Sequence, residues 1–185
     1  MRHKKTNRNI RRVLKKLARI ILTIVLATGF AYILIHYVGQ RTMVSGHSME
    51  PELYNKEQVF MDKLTYKIRN PKRYEIIVFP GPEGGNQFFV KRIIALPGET
   101  IKIKDGKVYV NNKEVKDYSK DHTTDSGELD GKVHLSSDEY FVMGDNRDNS
   151  NDSRYKQVGM VKRSKIIGRI IFRLYPFERA GMIRP

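Results

Sequence analysis

The chain contains no cysteine and no tryptophan. Without cysteine it has no disulfide staple, no thiolate nucleophile and no Cys-rich metal site. Histidine is scarce as well: His3 lies in a basic tail, His36 ends an apolar run, and His47, His122 and His134 share no short ligand spacing. A zinc centre is therefore not expected. Internal repeats are absent, and 185 residues leave room for one compact domain, or for one with a small insert.

Acid is the other shortage, with 20 Asp and Glu against 35 Lys and Arg, a net charge of +15. Much of the excess is local. Residues 1–19 carry Arg2, Lys4, Lys5, Arg8, Arg11, Arg12, Lys15, Lys16 and Arg19 and no acid, which leaves 26 basic against 20 acidic residues for the rest. Such a run alone fits a solvated arm or a nucleic-acid tail. Here it is followed by Ile20–Ile35, which holds no charge. As a helix, Leu17–Val38 would be roughly 33 Å long, against a hydrocarbon core of about 30 Å. The only polar interruptions of Ile20–Ile35 are Thr23 and Thr28, with Gly29 tolerated in membrane helices, so it lacks the polar stripe of an in-plane helix.

A cleaved signal peptide has a shorter apolar core and a small-x-small exit, whereas this one leaves through His36-Tyr37-Val38-Gly39-Gln40. The expectation is an uncleaved single-pass anchor over 17–38. The flanking positive charge places tail 1–16 in the cytoplasm and the remainder across the cell membrane. Phospholipid, and not nucleic acid, is then the partner of the N-terminal part.

Beyond Gly39 short β-rich runs alternate with Pro, Gly and Asn clusters, and a mostly β domain is expected. Candidate strands are Gln58–Leu64, Tyr74–Phe79, Phe88–Ala95, Thr100–Lys104, Lys107–Val110, Val133–Leu135, Glu139–Met143 and Lys165–Leu174. Ile101, Ile103, Val108 and Val110 alternate with polar residues about an Asp105-Gly106 turn, the pattern of a hairpin with one wet face. The division expected is a main β core over 39–100 and 136–185, with a small hairpin subdomain inserted at 101–135. Lys116–Lys132, poor in apolar residues, is expected to be a loop without chemistry.

Phe88–Ala95 (FFVKRIIA) reads as a strand buried on both faces, yet it carries Lys91 and Arg92, which a period of 2 sends to opposite faces. Long side chains at an edge could explain them by snorkelling. The alternative is chemical. A lysine among apolar side chains loses its proton more readily, and a general base needs its pKa brought from about 10.4 toward about 7 or 8. Phe89 and Ile93 share the Lys91 face of the strand. Arg92 stays protonated and suits a structural ion pair.

Candidate nucleophiles are hydroxyls. Ser48 stands in Val44-Ser45-Gly46-His47-Ser48-Met49-Glu50-Pro51, where Gly46 permits close approach of a substrate backbone. A triad with His47 is sterically awkward, since adjacent side chains on extended chain diverge. His134 would need to arrive from far away in sequence. A Gly/Pro loop serine satisfying local backbone groups is the plainer alternative. The densest polar stretch is Gly144–Arg154 (GDNRDNSNDSR), which lacks the acidic spacing and central Gly of a calcium loop. Its alternating Asp145, Arg147, Asp148, Asp152 and Arg154 suit ion pairs that stiffen a loop beside a site.

Taken together, Ser48-Met49-x-Pro51, Val90-Lys91-Arg92 through Glu99, and Gly144–Arg154 resemble the three ordered motifs of the type I (leader) signal peptidases, in their short Gram-positive form. The resemblance spans the anchor and most of residues 41–176. It implies an antiparallel β-sheet serine endopeptidase that removes signal peptides from exported preproteins without metal or cofactor, acting as a monomer. It further implies Ser48 as nucleophile, neutral Lys91 as general base, Ser150 as the hydroxyl that orients Lys91, Arg92 paired with Asp145, and Asp152 with Arg154. Some relatives carry a serine where this chain has Gly46. The oxyanion site at Ser48 and Gly46 must then rest on the Ser48 backbone N–H. A noncatalytic anchored β-module binding anionic polymer would explain charge and anchor but gives Lys91 no task. A self-cleaving repressor-type protease would need a DNA-binding module and no apolar span.

Overall fold

The computed structural model describes residues 2–33, 39–82, 84, 87–119, 124–183 and 185, with the side chains of 2–13 and 33 left aside. The chain divides into two units, Met1–Val38 and Gly39–Pro185.

The first unit is helix α1 (Arg2–Ile33). From Leu17 to Tyr32 its apolar side chains, among them Ile20, Ile24, Val25 and Phe30, are exposed. Among the described residues no helix is long and apolar enough to cross a membrane. The expected span Leu17–Val38 is only partly described, because residues 34–38 lie outside the described residues. Within them, Lys15, Lys16 and Arg19 shorten the uncharged run.

The second unit is mostly β. Its strands are β1 (Gly39–Met43), β2 (Gln58–Asp62), β3 (Ile76–Pro80), β4 (Phe88–Ala95), β5 (Thr100–Lys104), β6 (Lys107–Val110), β7 (Lys113–Glu114), β8 (Lys132–His134), β9 (Glu139–Met143), β10 (Val161–Lys162), β11 (Gly168–Tyr175) and β12 (Gly181–Met182), with a short helix α2 (Thr65–Ile68). Eight form one sheet in the order β1-β2-β11-β3-β4-β9-β10, with β12 against β11. The other four form a sheet ordered β7-β6-β5-β8. All the recorded pairings are antiparallel.

Apolar periodicity explains the layering. In β3, Ile76 and Val78 enter one core cluster with Met49, Leu53, Val59 and Ile170, while Ile77 and Phe79 enter a second with Ile93, Tyr140 and Val142. Successive side chains point to opposite faces, so an unbroken apolar run marks a strand covered on both. Ile101, Val108 and Val110 of the second sheet share a third cluster with Ile94, Phe141 and Met143, which ties the two sheets together. The β5–β6 hairpin turns on Asp105 (φ 51°) and Gly106 (φ 74°), the paired positive values of a type I′ turn. Asn111 (φ 51°) and Asn112 (φ 65°) do the same before β7.

The expectation for β4 needs correction. Its second half is buried, but Phe88 is 53% exposed, because β9 pairs only with the stretch from Arg92 to Ala95. On its other side Phe88–Lys91 pairs with β3, and the outer edge is open. Among the described residues strand β1 is flanked only by β2, a second open edge.

A polar network fastens β2, α2, β3 and β11. Arg169 binds Asp62 (3.1 Å) and Glu75 (2.9 Å), and Glu75 also accepts from the Tyr66 hydroxyl (3.0 Å), the Lys72 amide (2.8 Å) and Arg69. Burial pushes the Glu75 carboxyl up, but Arg69, the Lys72 amide and Tyr66 together hold it below its ordinary value. Asp62 is likewise held low against burial, by Thr65 and Arg169. A carboxylate with a depressed folded-state pKa contributes stability above its unfolded value and loses it as pH falls through the folded one. We predict that Glu75→Gln destabilises the domain by roughly 3 kcal/mol at pH 7, the deficit shrinking below about pH 4. Urea unfolding of both proteins at the two pH values checks this; a deficit independent of pH would contradict it.

Candidate active site

Ser48 is fixed by the loop that carries it. Val44 and Lys56 close the loop base through Val44 N–H to Glu57 O (2.8 Å) and Lys56 N–H to Val44 O (2.9 Å). Met49 and Leu53, both buried, plug the loop into the core below β3 and β11. Gly46 turns at φ 99°, a conformation that disfavours any side chain. Its amide donates to Asn55 Oδ1 (3.2 Å), toward the loop's own side chain. Gly46 is thereby occupied as a donor, and Ser48 N–H is the remaining backbone donor of the expected oxyanion pair. His47 pairs with Glu50 (2.8 Å), and His134 lies on β8 beside Thr100, so neither forms a triad with Ser48.

Lys91 arrives from the middle of β4. It is 4% exposed, and its Nζ donates to Ser48 Oγ at 2.6 Å. Its nitrogen lies 5.2 Å from the centroid of the Phe89 ring, two residues along the same strand face. Burial lowers the Lys91 pKa to about 8; Asp152 and Asp145 oppose that shift and Arg154 assists it. The pairing Ile77↔Lys91 and Ile76↔Arg92 sends Arg92 to the opposite face. There its fully buried guanidinium grips Asp145 through two bonds, of 2.8 and 2.6 Å.

The Gly144–Arg154 stretch forms the third wall. Asn146 donates its amide to Ser48 O (3.0 Å) and its side chain to His47 O (3.2 Å), which registers this wall on the nucleophile loop. Asp152 accepts from Arg154 Nε (2.8 Å) and Gly144 N–H (3.0 Å), both side chains being buried. Gly144 tolerates nothing larger than hydrogen: a Cβ there would stand 2.4 Å from Ser48 O and 2.3 Å from Ser150 Oγ. Ser150 lies on this wall with its hydroxyl buried and without a hydrogen bond. The bond from Ser150 to Lys91 expected by resemblance is therefore not formed; the Lys91 nitrogen is turned to Ser48.

Two residues without an assigned role in the sequence reading, Asp117 and Thr124, take part through Arg147, whose expected ion pair is made outside its own stretch. Arg147, buried, donates Nε to Gly144 O (2.9 Å) and reaches Thr124 Oγ1 (2.9 Å) and Asp117 (2.9 Å). Asp117 and Thr124 belong to the segment expected to hold no chemistry. Arg147 lies 30 residues beyond Asp117 and 23 beyond Thr124, and no local pattern announces such a contact.

The three walls enclose a cleft of about 670 Å³, lined by residues 42–49 and 87–91 with Asn149 and Asn151. Met43 and Phe88, largely exposed, stand among its lining residues. A second cavity of about 730 Å³ beside Tyr54 and Tyr175 holds Glu57, which is already committed to Arg173 and Arg179. No nucleophile and base meet there.

A hydroxyl in contact with a buried amine, inside an open cleft of an antiparallel β domain, is the arrangement of a serine endopeptidase with a lysine base. Family comparison agrees: residues 17–175 match the family described as signal peptidase, peptidase S26. The chain belongs to that family. It is 36% identical over 168 residues to a probable signal peptidase I-2 from Synechocystis, covering 88% of this chain and 73% of that one. It is also 36% identical to signal peptidase I of Bacillus amyloliquefaciens, over 84% of this chain and 86% of the relative. A signal peptidase I S from Bacillus subtilis is 36% identical over 84% and 87%.

Proposed function

We propose that Ser48 is the nucleophile and Lys91 the general base with which this signal peptidase removes signal peptides from preproteins. The 2.6 Å approach of Lys91 Nζ to Ser48 Oγ carries the reading, because it joins the hydroxyl to an amine whose burial favours the neutral form. Neutral Lys91 takes the hydroxyl proton while Ser48 Oγ bonds to the scissile carbonyl carbon. The resulting oxyanion faces the Ser48 N–H. Collapse of this intermediate breaks the C–N bond, and the Lys91 ammonium passes its proton to the leaving amine. Lys91, neutral again, deprotonates a water whose oxygen bonds to the acyl carbon; the ester C–Oγ bond breaks and the Lys91 ammonium returns the proton to Ser48 Oγ. On this reading Ser150 offers its unpaired hydroxyl to the ammonium form, and Arg92–Asp145 and Asp152–Arg154 hold the walls.

The substrate lies extended along the cleft, where β1 and the first half of β4 offer unpaired main-chain groups. By likeness to the family, small residues occupy the first and third positions before the cut. Residues 17–38 form the single membrane anchor, with tail 1–16 in the cytoplasm and the catalytic part on the far side. The uncharged run Ile20–Ile35, the basic tail and the exposed apolar surface of α1 support this topology.

The test is incubation of the detergent-solubilised chain with a preprotein, beside Ser48→Ala. We expect cleavage only by the wild type, with kcat/KM rising with pH through about 8 as Lys91 loses its proton. Cleavage by Ser48→Ala, or a rate that rises only through about pH 10, where an unburied lysine titrates, would refute the assignment.

A further inference from the structure

The catalytic mechanism leaves without a task Arg147, a buried cation beside the site, and the described residues between β7 and β8, 115–119 and 124–131, which lie outside both sheets. They meet. Asp117 binds Arg147 at 2.9 Å, and the Thr124 hydroxyl accepts from Arg147 (2.9 Å) while facing Asp117 (3.3 Å). The Ser119 amide and hydroxyl each donate to Asp117 at 2.8 Å, which fixes the carboxylate.

Next in sequence, Tyr118 lies over the Arg92 guanidinium, 3.8 Å from Cζ to ring centroid, and against Tyr74 (centroids 5.2 Å apart). Tyr74 O in turn accepts from Arg92 Nη1 (3.0 Å), and the Tyr74 hydroxyl accepts from Lys116 N–H (3.2 Å). Further along, the Asp125 carbonyl accepts from Arg154 (3.3 Å), and Glu128 N–H donates to Arg154 O (3.0 Å). Each arginine of the site's supporting layer thus has a partner on this one segment. Arg92 is the chain neighbour of Lys91, and Arg147 holds the carbonyl of Gly144, the residue wedged between Ser48 O and Ser150 Oγ.

We propose that Asp117, Tyr118 and Thr124 are positioning residues for peptide cleavage: through Arg147 and Arg92 they hold the Gly144–Ser150 wall and β4 in the register that brings Ser48 and Lys91 together. This rests on the serine–lysine reading above. Loosening the wall admits water to Lys91, which touches Ser48 and the Phe89 ring and feels the charges of Asp152, Arg154 and Asp145 at longer range. Water relieves the burial that favours the neutral amine, so the rising limb of the pH–rate profile moves to higher pH.

The experiment compares full-length wild type, Asp117→Ala, Tyr118→Leu, Thr124→Val and Ser48→Ala in detergent, using one preprotein across pH 6–10, with Asp117→Glu and Tyr118→Phe as conservative controls. We expect kcat in Asp117→Ala and Tyr118→Leu to fall about tenfold or more, KM to change less than about threefold, and the limb to move up by roughly half a pH unit. Thr124→Val should move it the same way by less, and it carries the test if Asp117→Ala does not fold. The conservative pair should stay within about threefold of wild type. A wild-type limb in Asp117→Ala, Tyr118→Leu and Thr124→Val, with kcat lowered only in proportion to the folded fraction, would overturn the positioning role while an inactive Ser48→Ala left the dyad standing. Cleavage surviving in Ser48→Ala would overturn both.

Discussion

Lys91→Met should abolish preprotein cleavage, lowering kcat by about four orders of magnitude or more, and at the same time make the domain more stable. The second effect follows from the sign of the proton linkage. Burial lowers the Lys91 pKa to about 8 in the folded chain, against about 10.4 unfolded. Between those values the unfolded chain holds more protons, so stability climbs with pH across that window, and below it the buried charge costs on the order of 3 kcal/mol. Methionine fills similar volume without a charge, and Ser48, half exposed, can turn its hydroxyl to water. Urea unfolding at pH 7 should therefore show the variant more stable by up to about 3 kcal/mol, with the gain fading as pH rises from about 8 and gone above about 10. A variant that is inactive and less stable at pH 7 would mean that the folded chain does not resist the Lys91 charge.

Asp145→Ala should be the most destabilising change near the site, by about 3–5 kcal/mol, because it strands a guanidinium with no route to water. Arg92 and Asp145 are both buried, and burial raises the Asp145 carboxyl even against the opposing pull of Arg92 and Arg147. The pair is therefore poorly repaid for its lost hydration, and its worth lies in geometry. Replacing both partners, as Arg92→Met with Asp145→Leu, should recover most of the stability but not the activity, since β4 and the Gly144 wall would lose their shared register. Thermal unfolding of the two single variants and the double variant measures this coupling. Additive effects would show that the bidentate bonds carry no special energy.

How far these features could be read from the chain depended on how local their signals are. Phe88–Ala95, Thr100–Lys104, Lys107–Val110 and Glu139–Met143 have in the structure the bounds expected of them, because strong apolar runs or alternation fix a strand wherever it lands. Strand β1 escaped notice: Gln40-Arg41-Thr42 has no apolar pattern, and only pairing with β2 makes it extended. Helix α2, one turn long, is held by Asp62 and its network and not by propensity. Lys91 was conspicuous because an amine inside an apolar strand demands an explanation. An ion pair at Arg147 was legible in the alternating charges of 145–154, but its partner was not, because Asp117 sits in another polar loop with no pattern to link the two. The exposure of Phe88 was missed because a sequence shows what a strand could bury, not where its neighbour stops.

That early end of β9, together with the unpartnered flank of β1, bears on which clients can be cut. A polypeptide seated between two vacant strand flanks must be drawn straight over several residues on each side of the bond that breaks. Helical or already folded chain does not fit such a slot, whatever its composition. On the proposed seating, selection turns on what the client has not yet done as well as on what it spells: a junction is cleavable while slack and spared once the mature body condenses around it.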